Sequence, residues 1–126
     1  MKILDANMII RLFVYDNPES AFETIHLIDN YPVLLLPEVA AEIVFVMTKF
    51  YKLDRVPVAD ALLKLLSLEN VKTNCGNVLA KGLQFYKESS LDFVDCLLCA
   101  YHTEENYEIC TFDKKLKKLI ARQDEK

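Results

Sequence analysis

The chain has 126 residues, 52% of them apolar, and only two glycines, enough for one ordered domain (1–126) that buries a core without disulfide or metal staples. Its formal net charge of −4 excludes a protein that coats nucleic acid with its whole surface. No apolar run reaches the roughly 18 residues of a membrane span, and Asp5 interrupts the N-terminus before the apolar core of a signal peptide. A cytoplasmic protein with no membrane partner is therefore expected. Of the four cysteines, Cys96 and Cys99 enclose Leu97 and Leu98, Cys75 stands alone and Cys110 lies in an apolar run. They read as buried, reduced thiols acting as small hydrophobes, rather than as a zinc or redox set.

Lys2 to Leu4 reads as a short buried strand. It is followed at once by Asp5 and by the apolar run Met8–Val14, which is long enough for a helix. Asn17 is placed to cap a second helix, with Pro18 at its first position, and that helix should run to about Asn30. Its predicted apolar stripe is Ala21, Phe22, Ile25 and Ile28; His26, facing Asn30 at i+4, reads as a surface residue. Tyr31-Pro32 stops the helix, and Val33–Leu36 is apolar throughout, as in a strand buried on both faces.

Pro37 opens a long helix to about Lys52, with Val39, Ile43, Met47 and Phe50 marking its core face. Glu42 lies mid-helix beside that face, where a partly buried carboxylate needs a cation or hydrogen-bond donors. Glu38, one turn earlier, is explained by the helix dipole. Pro57 starts a helix ending near Asn70, and Val71–Thr73 is a short strand. Asn77–Lys87 is helical, with Val78, Leu79, Leu83 and Tyr86 inward. The next helix begins at Ser89–Asp92, with Phe93, Leu97, Ala100 and Tyr101 as its core face and His102 near its C-terminus. Tyr107–Thr111 is the last predicted strand, and Asp113 heads a lysine-rich terminal helix. Short strands alternating with helices imply parallel pairing and right-handed crossovers. The predicted fold is an α/β/α sandwich around a parallel sheet of four to five strands.

Asp5 follows the first strand, at the carboxyl end where open α/β sheets bind ligands. Glu42 sits in the helix after the second strand, Asp95 begins the helix that leads into the last, and Asp113 follows it. Each has a structural explanation of its own: Asp5 and Asp113 as helix caps, Asp95 at the third position after the cap Asp92. Jointly they can meet at one end of one sheet. Two carboxylates about 4 Å apart repel by roughly 4 kcal/mol at an effective dielectric near 20, and a hard divalent cation with oxygen preference relieves that repulsion. No serine–histidine–acid set, glycine-rich phosphate loop or His/Cys zinc cluster competes.

The sequences Leu4-Asp5-Ala6-Asn7 with Arg11, Ala41-Glu42-Ile43-Val44 leading to Tyr51-Lys52-Leu53-Asp54-Arg55, Asp92-Phe93-Val94-Asp95 and Thr111-Phe112-Asp113-Lys114-Lys115 together resemble PIN-domain ribonucleases, in particular the VapC-like toxins of toxin–antitoxin systems. The resemblance covers the whole chain. It implies Asp5, Glu42, Asp95 and Asp113 as a metal-binding quartet for Mg²⁺ or Mn²⁺, supported by Asn7 and Thr111. It also implies a flavodoxin-like sheet with its first strand central, a homodimer, and an antitoxin partner. Ala6 departs from the Thr or Ser common there, and the short interval from Pro37 to Glu42 leaves Glu38 a rival.

The expected activity is metal-dependent endoribonuclease cleavage, with Lys114, Lys115, Lys117 and Lys118, and in addition Lys49, Lys52 and Arg55, holding RNA phosphates. A solvated helix face is the alternative for the lysines. Two other classes remain open: a non-catalytic RNA- or protein-binding relative, and a phosphoryl-accepting receiver. The receiver needs an acidic pair after the first strand and an acceptor aspartate ending the third, where this chain has Ala6 and Asn74.

Overall fold

A computed structural model describes residues 1–126, with seven α-helices and three β-strands. The chain divides into two compact units, Met1–Asn74 and Cys75–Lys126. None of the helices is long and apolar enough to cross a membrane.

The first unit is α/β. Strands β1 (Lys2–Ile3), β2 (Val33–Leu34) and β3 (Val71–Lys72) form a parallel sheet in the order β1-β2-β3. The register pairs Lys2 with Val33, Ile3 with Leu34 and Leu34 with Lys72. Val33 and Leu35 are wholly buried, as expected for the middle strand, and Leu4 closes the end of β1 at 1% exposure. β1 lies at an edge of these three strands, and its two residues differ from the buried strand expected: Ile3 is 59% exposed. Its only strand neighbour is β2, so its other flank has no ladder to bury against.

Helices α1 (Ala6–Val14) and α2 (Pro18–Asn30) follow β1. Asn17 caps α2 by accepting from Ser20 N at 3.2 Å, with Pro18 at its first position, where the absent N–H is no loss. The buried stripe of α2 is Ala21, Thr24 and Ile28, whereas Phe22 and Ile25 point outward. Thr24 replaces the expected hydrophobes because its hydroxyl donates to the carbonyls of Met8 and Ser20, which makes its complete burial tolerable. Asn70 ties the start of β3 to α2 by donating to Ile28 O at 2.9 Å.

Helix α3 (Pro37–Phe45) is shorter than predicted, because residues Val46–Phe50 form a π turn. Tyr51 N–H reaches back five residues to Val46 O at 3.1 Å, and Leu53 N–H bonds Met47 O beyond Lys52 in left-handed conformation. The wider turn rotates the residues beyond it, so Met47 is buried while Phe50, expected on the same face, is 75% exposed. Arg11 of α1 clasps this end by donating to the Tyr51 hydroxyl at 2.8 Å, and it pairs with Asp16. Helix α4 runs Arg55–Leu66, with Pro57 at its third position rather than at its start.

The second unit is helical: α5 (Val78–Glu88), α6 (Phe93–Glu105) and α7 (Lys114–Asp124). The inward residues read for α5, Val78, Leu79, Leu83 and Tyr86, are all buried. They meet Phe93, Cys96, Leu97, Cys99 and Ala100 of α6, with the Tyr86 and Phe93 rings edge to face at 5.7 Å. Gly82 is buried in this seam. All four cysteines are free; Cys96 and Cys99 are buried as expected, but Cys75 is half-buried and Cys110 exposed. Burial, with the neighbouring Cys96 next, pushes the Cys99 thiol up to about 11, so it stays protonated.

Tyr107–Thr111 forms no strand. Its own unit holds no other strand to pair with, and Tyr107 and Cys110 stay exposed, followed by Phe112 at 99%. His102 anchors the start of this segment. One ring nitrogen meets Tyr107 O and the other an Asp124 carboxylate oxygen, both at 2.8 Å. Two pure acceptors on the two nitrogens are satisfied together only by the imidazolium. The Asp124 hydrogen bond, then the Tyr107 carbonyl, raise the His102 pKa accordingly.

Candidate functional site

In the first unit, Asp5 sits in extended conformation between β1 and α1, and its Oδ1 accepts from Met8 N at 3.0 Å. The cap reading is therefore correct for Asp5, yet it uses one carboxylate oxygen and leaves Oδ2 for another ligand. Asn7 follows in the first turn with an exposed side chain. Glu42 is exposed on α3. The partial burial expected for it is absent, because the core face of α3 is formed by Ala40, Ile43 and Val44. Its carboxylate is consequently hydrated and free to take a ligand.

In the second unit, Asp113 caps α7 by accepting from Leu116 N at 3.0 Å, again through Oδ1. Thr111 steadies it from behind, its hydroxyl accepting the Asp113 N–H at 3.0 Å. Thr111, expected as a supporting polar residue, thus fixes the backbone of Asp113. Asp95 is the third residue of α6 and partly buried. Burial raises its carboxyl pKa first, and the charges of Asp113 and Asp92 raise it further. Those two aspartates thus lie close enough for their charge to be felt.

Asp92 is the residue that sequence reasoning undervalued. It stands at the N-cap position of α6 but makes no capping hydrogen bond, so its carboxylate is available. The signal was present as an Asp-x-x-Asp spacing, which puts both carboxylates at one helix start. Lys114, Lys115, Lys117 and Lys118 are all exposed on α7, whose buried residues are Leu116 and Leu119. Lys49 and Lys52 are exposed beside the π turn.

Within neither unit do three or more His, Cys, Asp or Glu side chains gather closely enough to hold a metal ion. Taken singly, the donors are of the kind a hard cation prefers: Asp5 and Asp113 each have one carboxylate oxygen held by a helix cap and one left over, and Asp95 has its charge destabilised by burial and like neighbours.

A parallel-sheet unit with Asp5 after its first strand, continued in sequence by a helical unit with Asp92 and Asp95 at the start of one helix and exposed lysines along another, places the chain among α/β proteins. The chain matches the PIN domain family over residues 2–121 and belongs to it. PIN domains are usually nucleases and generally bind divalent metals, and membership of the family suggests RNA binding. Neither a curated protein nor a solved structure matches the chain.

Proposed function

We propose that this chain is a metal-dependent endoribonuclease that hydrolyses RNA phosphodiester bonds, and that it is the toxin of a cytoplasmic toxin–antitoxin pair. The observation that carries the reading is Asp95: a partly buried carboxylate whose charge is disfavoured by burial and by the charges of Asp113 and Asp92. Carboxylates perturbed in this way cluster at functional sites.

In the proposed enzyme the two units act as one domain, in keeping with a family match that spans both. Asp5, Asp95 and Asp113 hold Mg²⁺ or Mn²⁺, and Glu42 completes the shell or orients the attacking water. When bound, the ion supplies an acidified water as nucleophile and neutralises charge on the attacking and leaving oxygens. The caps at Met8 N and Leu116 N keep Asp5 and Asp113 in single orientations, so little ordering remains when ligand arrives. Thr111 holds the Asp113 backbone, and Asn7 supports Asp5. Some of the exposed lysines of α7 take RNA phosphates. The active form is a homodimer silenced by its antitoxin.

The test is Mn²⁺-dependent cleavage of a panel of structured RNAs. Wild type should cut at least one of them, and Asp95→Asn should be inactive while keeping its circular-dichroism spectrum, because asparagine preserves shape without the anionic oxygen. Cleavage by Asp95→Asn at the wild-type rate refutes the site. Tight RNA binding with no cleavage by wild type instead identifies a non-catalytic relative.

A further inference from the structure

In the second unit the turn between α5 and α6 faces α7 across a cleft of about 220 Å³. Its lining consists of Ser89, Ser90, Leu91, Lys115, Lys118 and Arg122. Three cations and two hydroxyl residues surround it without any carboxylate. Lys115, Lys118 and Arg122 recur at i, i+3 and i+7, so they share one side of α7, next to the buried stripe of Leu116 and Leu119. Lys117 falls on the far side of the helix, and neither Lys114 nor Lys117 lines the cleft.

None of the three cations is ion-paired within the chain. Like charges at i, i+3 and i, i+4 disfavour a helix unless an anion lies between them. The turn is rigid: the Ser89 hydroxyl accepts from Leu91 N at 3.3 Å, and Leu91 is buried beneath it. The exposed Ser90 is left to donate its own hydroxyl. A fixed wall with a hydroxyl donor, opposite two ammonium groups and a guanidinium, matches a tetrahedral oxyanion, and the guanidinium can grip two of its oxygens.

We propose that this cleft is a subsite for a backbone phosphate of single-stranded RNA, held by Lys115, Lys118, Arg122 and Ser90. The choice of RNA as source of the phosphate rests on the nuclease reading above; the oxyanion chemistry of the cleft does not. The subsite separates the lysines of α7 into two functional sets, of which only one grips the nucleic acid.

The experiment measures anisotropy of a labelled RNA oligonucleotide against salt, in EDTA so that no cleavage intervenes, for wild type, K115Q/K118Q, K114Q/K117Q and R122Q. All are exposed positions, and unchanged melting curves verify the folds. Removing one phosphate contact lowers the slope of log affinity against log salt by about 0.7 on single strands. K115Q/K118Q should show that loss, R122Q should weaken binding in the same sense, and K114Q/K117Q should keep the wild-type slope. Equal slopes for the two lysine pairs overturn the subsite, as does a wild type that binds no RNA.

A parallel titration with inorganic phosphate follows the Ser90 and Leu91 amide resonances. Saturation by phosphate, with RNA slopes alike in all variants, makes this a free-phosphate site and overturns the RNA assignment. Cleavage in Mn²⁺ is recorded on the same samples. An active wild type with equal slopes sinks the subsite alone, whereas an inactive wild type that keeps the slope difference supports the subsite and sinks only the nuclease reading.

Discussion

Gly82 offers a direct test of how tightly the helices that carry Asp95 are set. It lies buried in α5 against α6, and a Cβ added there would stand 2.9 Å from Leu97 Cδ2, 3.4 Å from Leu97 Cα and 3.5 Å from Leu97 Cγ. Carbon atoms rest at about 3.5–4.0 Å, so the methyl group of Leu97 must move by half an ångström or more, and the backbone of α6 leaves little room behind it. Two effects oppose each other. Alanine gains about 1 kcal/mol of helix preference over glycine, and overpacking a tight seam costs about 1–3 kcal/mol. Gly82→Ala should therefore destabilise by about 1 kcal/mol, a fall in Tm of roughly 3–6 °C for a chain of this size. Thermal and urea unfolding followed by circular dichroism measure it. The cause is isolated by repeating the change in a Leu97→Ala background, where the obstructing methyl is gone and the helix-propensity gain should reappear as a relative stabilisation. If Gly82→Ala costs the same in both backgrounds, the seam is not what glycine serves. The functional stake is that Leu97 sits two residues from Asp95, so the spacing at Gly82 also sets where that carboxylate stands.

Two further outcomes concern charge. His102 has a folded-state pKa raised by Asp124 and the Tyr107 carbonyl, so its contribution to stability is complete below its unfolded value of about 6.5 and is lost as pH rises through the folded value; the Tm difference between wild type and His102→Asn should narrow over that rise, and a pH-independent difference would show the clip to be irrelevant. Asp95 is also raised, by burial, Asp113 and Asp92, so in the metal-free protein its contribution holds below the unfolded value of about 4 and disappears as pH climbs through the folded one. Mn²⁺ at neutral pH should restore stability, by about 2.7 kcal/mol at a hundredfold excess over Kd; a wild-type melting curve indifferent to Mn²⁺, or one that Asp95→Asn leaves equally responsive, would remove Asp95 from the metal site.

What the sequence made legible was local. The caps at Asp5, Asn17 and Asp113 were readable because a side chain and the amide three residues on lie in one short stretch. The inward face of α5 was readable because hydrophobes recur at a single period. Features that depend on distant residues were not. Thr24 looks like a polar interruption until the carbonyl of Met8 is known to lie above it. The cleft of Lys115, Lys118 and Arg122 exists only once α7 faces the Ser89–Leu91 turn, more than twenty residues away in the chain. Tyr107–Thr111 has the composition of a strand, but composition cannot supply a partner ladder, and its own unit has none. The position of Asp92 at the start of α6 was legible as an ordinary cap, whereas its lack of a capping hydrogen bond was not.

The π turn at Val46–Phe50 changes what a gain or loss of one residue means for this chain. In a regular helix, removing a residue swings everything beyond it by about 100°, and the Tyr51 hydroxyl would leave Arg11. Here the helix already carries one residue more than α geometry uses between Val46 and Tyr51. Dropping that residue turns the wide loop of backbone into a normal α turn, and Tyr51 and the chain beyond it keep their bearing. The same bulge that expels Phe50 into solvent thus acts as slack in the chain, a place where length can vary without the rest of the unit registering it.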